Sequence, residues 1–221
     1  MYDIIYSLMI ISALTGSFIG LDRLITQKGY QNPYYAIHSL HNAAIVAYTL
    51  PDVIGTFKYI MQPAIFETYS NNLPAIYLCY SLHFYHIISY LSKLRFDDWL
   101  HHILMIFIAL PIGCSLETRT LVGYSLFFTT GLPGGIDYAC LFAVRNGWMS
   151  RIMEKKINEK LNVWIRSPGC ISHACFCLAY LLYNGEATPW YAFIPPIITY
   201  WNGQYFMRQV VADLALQDKK V

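Results

Sequence analysis

Apolar residues run through this chain in blocks about as long as a bilayer is thick, and polar residues collect at the block edges. A membrane-crossing helix needs about 20 mainly apolar residues. Seven stretches approach that length: Tyr2–Leu21, Tyr35–Ile60, Leu73–Ser92, Trp99–Leu116, Leu121–Val144, Gly169–Tyr183 and Trp190–Phe206. The pattern predicts an all-α fold, a polytopic transmembrane helix bundle of about seven spans. Pro51 and Asp52 predict that the far half of the second stretch kinks or leaves the membrane. Gly185–Pro189 read as a tight connection between the short sixth stretch and the seventh. Pro195-Pro196 predict a break or bend in the last helix, since proline lacks an N–H and its ring crowds the carbonyl four residues back.

Composition strengthens the membrane reading. Of 221 residues, 56% are hydrophobic and 13% charged, where a soluble domain carries about 25% charged residues. Mean hydropathy is +0.38. Nineteen tyrosines and five tryptophans suit the two bilayer interfaces, where amphipathic rings gather. A net charge of +2 without any basic–aromatic array excludes nucleic acid as a partner. The six cysteines lie in or beside apolar runs and form no CxxC pair, so they read as small packing residues rather than disulfides or zinc ligands. The N-terminus lacks the basic flank and small-residue site of a cleavable signal, and the first run is expected to stay as an anchor.

Charge then orients the spans. Arg23, Lys28, Lys93 and Arg95 follow the first and third runs. Arg145, Arg151, Lys155, Lys156, Lys160 and Arg166 follow the fifth, and Arg208, Lys219 and Lys220 the seventh. The opposite side keeps Lys58 and Arg119. Cytosolic loops are enriched in Lys and Arg, so the expected N-terminus is outside or lumenal and the C-terminus cytosolic. The longest loop, Asn146–Pro168, reads as a basic amphipathic helix, either lying on the cytosolic leaflet or serving as a solvated connector.

Ionisable residues within or at the edge of apolar runs usually mark function, because the membrane makes them costly. Asp97-Asp98-Trp99-Leu100-His101-His102 sits at the mouth of the fourth run. His38 and His41, and likewise His83 and His86, are three apart and share a helix face; His101 and His102 point about 100° apart. His173 stands alone near the start of the sixth run. Three groups on the cytosolic halves of their spans can converge on one cavity. In one chemistry, an imidazole acts as nucleophile or general base, oriented by Asp97 or Asp98, and moves an acyl group from a thioester to an amine or hydroxyl. In another, histidines and carboxylates ligate zinc or iron, although HxxH and DxxHH spacing is not diagnostic. A third reading is structural, with the pairs hydrogen-bonded in the bundle. A retinal protein needs a lysine in the last span, and Trp190–Phe206 has none.

Thr129-Thr130-Gly131-Leu132-Pro133-Gly134-Gly135-Ile136-Asp137 interrupts the fifth run. It either turns Asp137 and backbone carbonyls toward the cavity or lets two helices approach closely. Asn202, Gln204 and Tyr205 form a polar patch in the last span.

Ser39-Leu40-His41-Asn42-Ala43, Tyr80-Ser81-Leu82-His83-Phe84-Tyr85-His86 and Asp97-x-x-x-His101-His102 together resemble the TLC-domain family of ceramide-synthase-like membrane proteins, over roughly Tyr35 to Phe206. The resemblance implies three parts: 1–34 as an N-terminal transmembrane helix and cytosolic loop, 35–206 as a six-helix domain around a lipid-accepting chamber, and 207–221 as a cytosolic tail. It implies a lipid acyltransferase of the endoplasmic reticulum, with acyl-CoA as co-substrate, membrane lipids as partners, no bound cofactor or metal, and room for a homodimer. His101 and His102 match the paired histidines of acyl transfer, Asp97 the carboxylate before them with Asp98 beside it, and His41 the early histidine. His41, His83, His86, Asp137 and Asn202 are the expected substrate-binding residues. The chain departs from the pattern at His86, where many members carry an aspartate, and at the threonines before Pro133, where an acidic residue is usual. Two alternatives accompany this reading: a non-catalytic lipid-binding or lipid-regulating relative, and a fatty-acid-elongase-like or histidine-ligated metal enzyme. The elongase motif HxxHH has its first histidine replaced by Asp98.

Overall fold

The structure, a computed structural model, describes residues 4–60, 62, 70–115, 119–184 and 190–218. Among these the secondary structure is entirely helical, and the helices join into seven rods, each overlapping one of the seven apolar runs. Rod α1 is Ile4–Gln27, α2 is Pro33–Lys58 and α3 is Leu73–Tyr90. Rod α4 joins Phe96–Ile103, Leu104–Ala109 and Leu110–Ser115; α5 joins Arg119–Leu126, Phe127–Gly131 and Leu132–Arg145. Rod α6 joins Arg151–Leu161, Asn162–Arg166 and Ser167–Asn184, and α7 joins Trp190–Phe193 and Ile194–Asp218. Three stretches are long and apolar enough to cross a membrane: Ile4–Gln27, Thr120–Arg145 and Arg151–Tyr183. In the other rods, shorter apolar runs or interspersed His, Tyr, Asn and Pro lower the mean hydropathy.

The middle segments of α4, α5 and α6 are wide π-turns, and each has the same local cause. The residue just before a proline closes the turn five residues back: Leu110 N–H on Met105 O, Leu132 on Phe127 O, and Ser167 on Asn162 O. Pro111, Pro133 and Pro168 follow directly. A proline ring collides with the carbonyl four residues back, and one extra residue in the turn moves that carbonyl aside. Pro195-Pro196 act differently from the expected break. They fall in the first turn of the helix Ile194–Asp218, after a 3-10 turn, where no intrahelical donor is lost. Pro51 is carried inside α2, which runs on to Lys58.

Helix α1 packs on α3, α2 runs along α5, and α6 lies along α7. Phe18, Ile37, Ile45, Ala75, Ile76, Leu78, Leu82, Tyr85, Leu110 and Leu126 build the main apolar core from five rods. Polar clasps fix the contacts. Ser81 Oγ donates to Ile11 O at 3.1 Å, and Tyr85 and Tyr90 hydroxyls both donate to Asp22 Oδ2. Helix α1, an added element in the sequence reading, is therefore part of the packed bundle. The α1–α2 turn uses left-handed Gly29 (φ 82°) and Asn32 (φ 54°) before Pro33 opens α2, and Asn146 Oδ1 accepts from Gln31 N at 3.0 Å. That bond places the turns after α1 and α5 at one end of the bundle, the end rich in Lys and Arg.

The segment Asn146–Pro168 departs from the surface helix or solvated connector expected. Its helix is continuous with α6, packs on α5 and α7, and buries Glu154, Asn158, Leu161, Asn162 and Arg166. The tail after Phe206 is likewise helix, to Asp218. Cys79, Cys140 and Cys170 are buried as expected, whereas Cys175 is exposed. Gly185–Pro189 lie outside the described residues.

Candidate functional site

Helices that alternate in direction bring their corresponding ends together, so the histidine pairs on α2, α3 and α4 meet. They line one cavity of about 1080 Å³, together with Tyr34, Asp98, Asp137, Tyr138, Arg166 and Asn202. That volume is slightly above the range of small-molecule sites, about 300–1,000 Å³. Of the expected site residues, His41, His83, His86, Asp98, His101, His102, Asp137 and Asn202 all line it. Asp97 lies in the first turn of α4, and its side chain is outside those described.

The centre of the cluster is a hydrogen bond between two imidazoles, His83 Nδ1 and His102 Nδ1, 2.8 Å apart. One of these nitrogens carries the shared proton. The bond fixes the His102 ring, which is buried, and leaves its Nε2 without a hydrogen-bond partner. His86 lies 4.8 Å from His102 between ring centres, and His101 5.1 Å from His83. The two members of the His-His pair are thus unequal: His101 is exposed and His102 enclosed. Their adjacent positions on the helix, about 100° apart, cause this.

On the far side of the cluster, His38 Nδ1 donates to Tyr34 O at 2.8 Å, so Nε2 of this ring is the acceptor nitrogen when the ring is neutral. Tyr138 stacks obliquely on His38 at 4.6 Å, and His38 stands 5.9 Å from His86. His41 Nδ1 donates to Asn42 Oδ1 at 2.8 Å, and Thr130 Oγ1 donates to the same oxygen at 3.0 Å. The Thr129–Asp137 segment combines a close helix approach with side chains that line the cavity. A Cβ on Gly134 would meet Asn42 Nδ2 at 2.7 Å, which is the close approach of α2 and α5, and Thr130 and Asp137 line the cavity.

Asp98 takes a different part from the one expected. Its Oδ2 accepts the backbone N–H of Arg95 at 2.9 Å and sits 3.6 Å from Arg95 Nε, so the carboxylate answers one of the free N–H groups at the start of α4. Among the described hydrogen bonds, the partner that orients His102 is His83, not this carboxylate. Among the described residues no group of three or more His, Cys, Asp and Glu side chains is arranged to hold a metal ion.

Several lining residues fell outside the sequence expectation. Tyr34 and Tyr138 were hidden among nineteen tyrosines. Arg166 was counted as a loop cation, yet is 9% exposed. The signal for it was the spacing Asn158-x-x-x-Asn162-x-x-x-Arg166, a polar stripe along one helix face. His173 also lines the cavity, with Nε2 3.3 Å from Cys177 Sγ. Comparison of the chain with protein families, with curated proteins and with solved structures returns no match.

Proposed function

We propose that this is a TLC-like membrane protein that transfers an acyl group from acyl-CoA to a lipid amine or hydroxyl, with His102 as the acyl-carrying residue. The observation that carries the reading is the oriented His102, whose Nδ1 is tied to His83 and whose buried Nε2 is left unpaired. With its proton on Nδ1, the ring has a free lone pair on Nε2. Nε2 attacks the thioester carbonyl, a C–N bond forms and the C–S bond breaks. The Nδ1 proton passes to His83 and on to the departing sulfur, which leaves as coenzyme A thiol. In the second half the acceptor attacks, the C–N bond breaks, and the acceptor's proton returns to the imidazole. Covalent relay of this kind replaces one hard step by two easier ones. His41, His86 and Tyr34 would shape the chamber, and Asp98 would hold the start of α4.

In this reading all seven rods cross the membrane, and the six after α1 surround the chamber. The basic end is cytosolic, where acyl-CoA is available, and the resemblance points to the endoplasmic reticulum. The positive-inside bias supports the orientation.

The test is intact-protein mass measurement after incubation with an acyl-CoA. We expect an acyl adduct that maps to His102, is lost in His102→Ala, and is reduced by at least tenfold in His83→Ala. Undiminished labelling in His102→Ala overturns the assignment. A second reading, lipid holding without turnover, draws on the long apolar wall of the cavity. It predicts a co-purifying lipid, no adduct, and unchanged lipid content in His102→Ala.

A further inference from the structure

The same cavity has a second polar region that the histidine chemistry leaves unused. Helix α6 carries a ladder in which Asn162 Nδ2 donates to Asn158 Oδ1 at 2.6 Å and Arg166 Nη1 donates to Asn162 Oδ1 at 2.9 Å. The Arg166 guanidinium lies 5.2 Å over the Phe206 ring. It is 9% exposed, and its Nε has no hydrogen-bond partner. No carboxylate among the described residues is within ion-pair distance of it. Asp137 Oδ1 on α5 and Asn202 Oδ1 on α7 are also buried and unpartnered. All three residues line the cavity. Unanswered buried polar groups are costly, and most of all a charged one, so this donor and these two acceptors, which line the same cavity, are matched to an occupant.

We infer that this region binds the head group of a neutral lipid bearing a free hydroxyl, of the diacylglycerol class. A hydroxyl accepts from Arg166 Nε–H and donates to Asp137 or Asn202, so one group answers both kinds of need. An ammonium has donors alone; it leaves Arg166 unanswered and sets a second cation beside it. A carboxylate or phosphate has acceptors; it leaves Asp137 and Asn202 unanswered and adds charge beside Asp137. The apolar remainder of the 1080 Å³ cavity, with Leu126, Leu181 and Ile198 in its wall, takes the acyl chains. Water alone answers the polar atoms but not that wall.

The assignment of this lipid as the acyl acceptor rests on the His102 reading; its binding does not. As acceptor, its hydroxyl oxygen forms the ester C–O bond, the thioester C–S bond is the one broken overall, and the hydroxyl proton ends on the coenzyme A sulfur. The ring contacts from Tyr138 through His38 and His86 to His102 link the two regions along the cavity wall.

The experiment uses the full chain in phosphatidylcholine nanodiscs with a photoreactive diacylglycerol as probe. Unlabelled diacylglycerol, octadecylamine and oleate are the competitors. Diacylglycerol should compete at least tenfold better than either of the others, and Asp137→Leu and Arg166→Met should each lower labelling at least tenfold. Asn202→Ala, a milder change on a half-buried residue, should lower it severalfold. Equal or better competition by the amine or the carboxylate overturns the inference, as does undiminished labelling in all three variants. Supplying acyl-CoA separates the two proposals. Binding of diacylglycerol without ester formation removes the His102 reading and keeps the site, whereas preferential acylation of octadecylamine removes the hydroxyl acceptor.

Discussion

Asp52 shows how one polar side chain can set the shape of a helix contact. Its carboxylate accepts from Ser70 Oγ and from Asn72 Nδ2 at 2.9 Å, fastening the far end of α2 to the segment that opens α3. The space it occupies exists because residue 123 has no side chain: a Cβ there would lie 1.7 Å from Asp52 Oδ2. Gly123→Ala should therefore cost about 1–3 kcal/mol of overpacking and lower the thermal midpoint in detergent. Gly20→Ala, with nothing within 4 Å of the new methyl, should be neutral or gain about 0.5–1 kcal/mol of helix propensity. Equal effects of the two would show that Asp52 yields freely. At this scale the sequence was informative about residue types and silent about partners. The His-x-x-His pairs and His101-His102 could be singled out by residue type and spacing alone. That His102 rather than His101 is enclosed, and that His83 rather than Asp98 orients it, depends on where α3 stands beside α4.

Among the elements, the π-turns change which residues face inward. Each adds one residue to a helical turn and so rotates everything beyond it by about 100°. In α6 this turn contains Arg166. Pro168→Ala removes the ring that crowds the carbonyl of Trp164, and the turn Asn162–Arg166 is expected to close to an α-turn. Helix content measured by circular dichroism should be unchanged, while labelling by the photoreactive diacylglycerol should fall severalfold. Unchanged labelling would mean that the proline does not hold the turn open. Helices α6 and α7 are also joined by Lys155 Nζ and Asp213 Oδ2, 2.8 Å apart. This hydrogen bond holds the Asp213 carboxyl below its usual range. With the folded value below the unfolded one, the bond's contribution is complete above about pH 4 and is lost as the pH falls through the folded value. Asp213 is 39% exposed, so screening limits the contribution to about 1 kcal/mol at most. Asp213→Asn should lower the thermal midpoint slightly near pH 7 and have no effect at the acid end of the titration. A constant difference across the pH range would rule out this linkage.

For the molecule as a whole, the two expected properties are a filled cavity and a fixed orientation. A lipid that binds the folded state alone stabilises it by RT ln(1 + [L]/Kd), about 2.7 kcal/mol at a hundredfold excess over Kd. Diacylglycerol added to delipidated protein should therefore raise the thermal midpoint by several degrees in the wild type and far less in Arg166→Met. In sealed vesicles with the cytosolic face outward, a C-terminal tag should be digested by added protease and an N-terminal tag protected. The reverse pattern would invert the orientation, and with it the access of acyl-CoA to the histidines.

What this chain determines by itself is the sequence-local part of its structure. Blocks of apolar residues specify seven helical rods, because each backbone donor in a helix is answered within a few residues. Pro111, Pro133 and Pro168 widen the turns before them through a steric effect that reaches only four residues back, whereas Pro51 leaves α2 unwidened. The run of cations specifies one basic end. The tertiary structure alone decides which polar groups share a space. Helix rotation and rod order set the bond between His83 and His102, nineteen residues apart. They also gather Asp137, Arg166 and Asn202 from three rods, and they bury in α6 a segment that reads as a surface helix or solvated connector. No local pattern specifies those meetings, since each depends on the packing of side chains far apart in the chain.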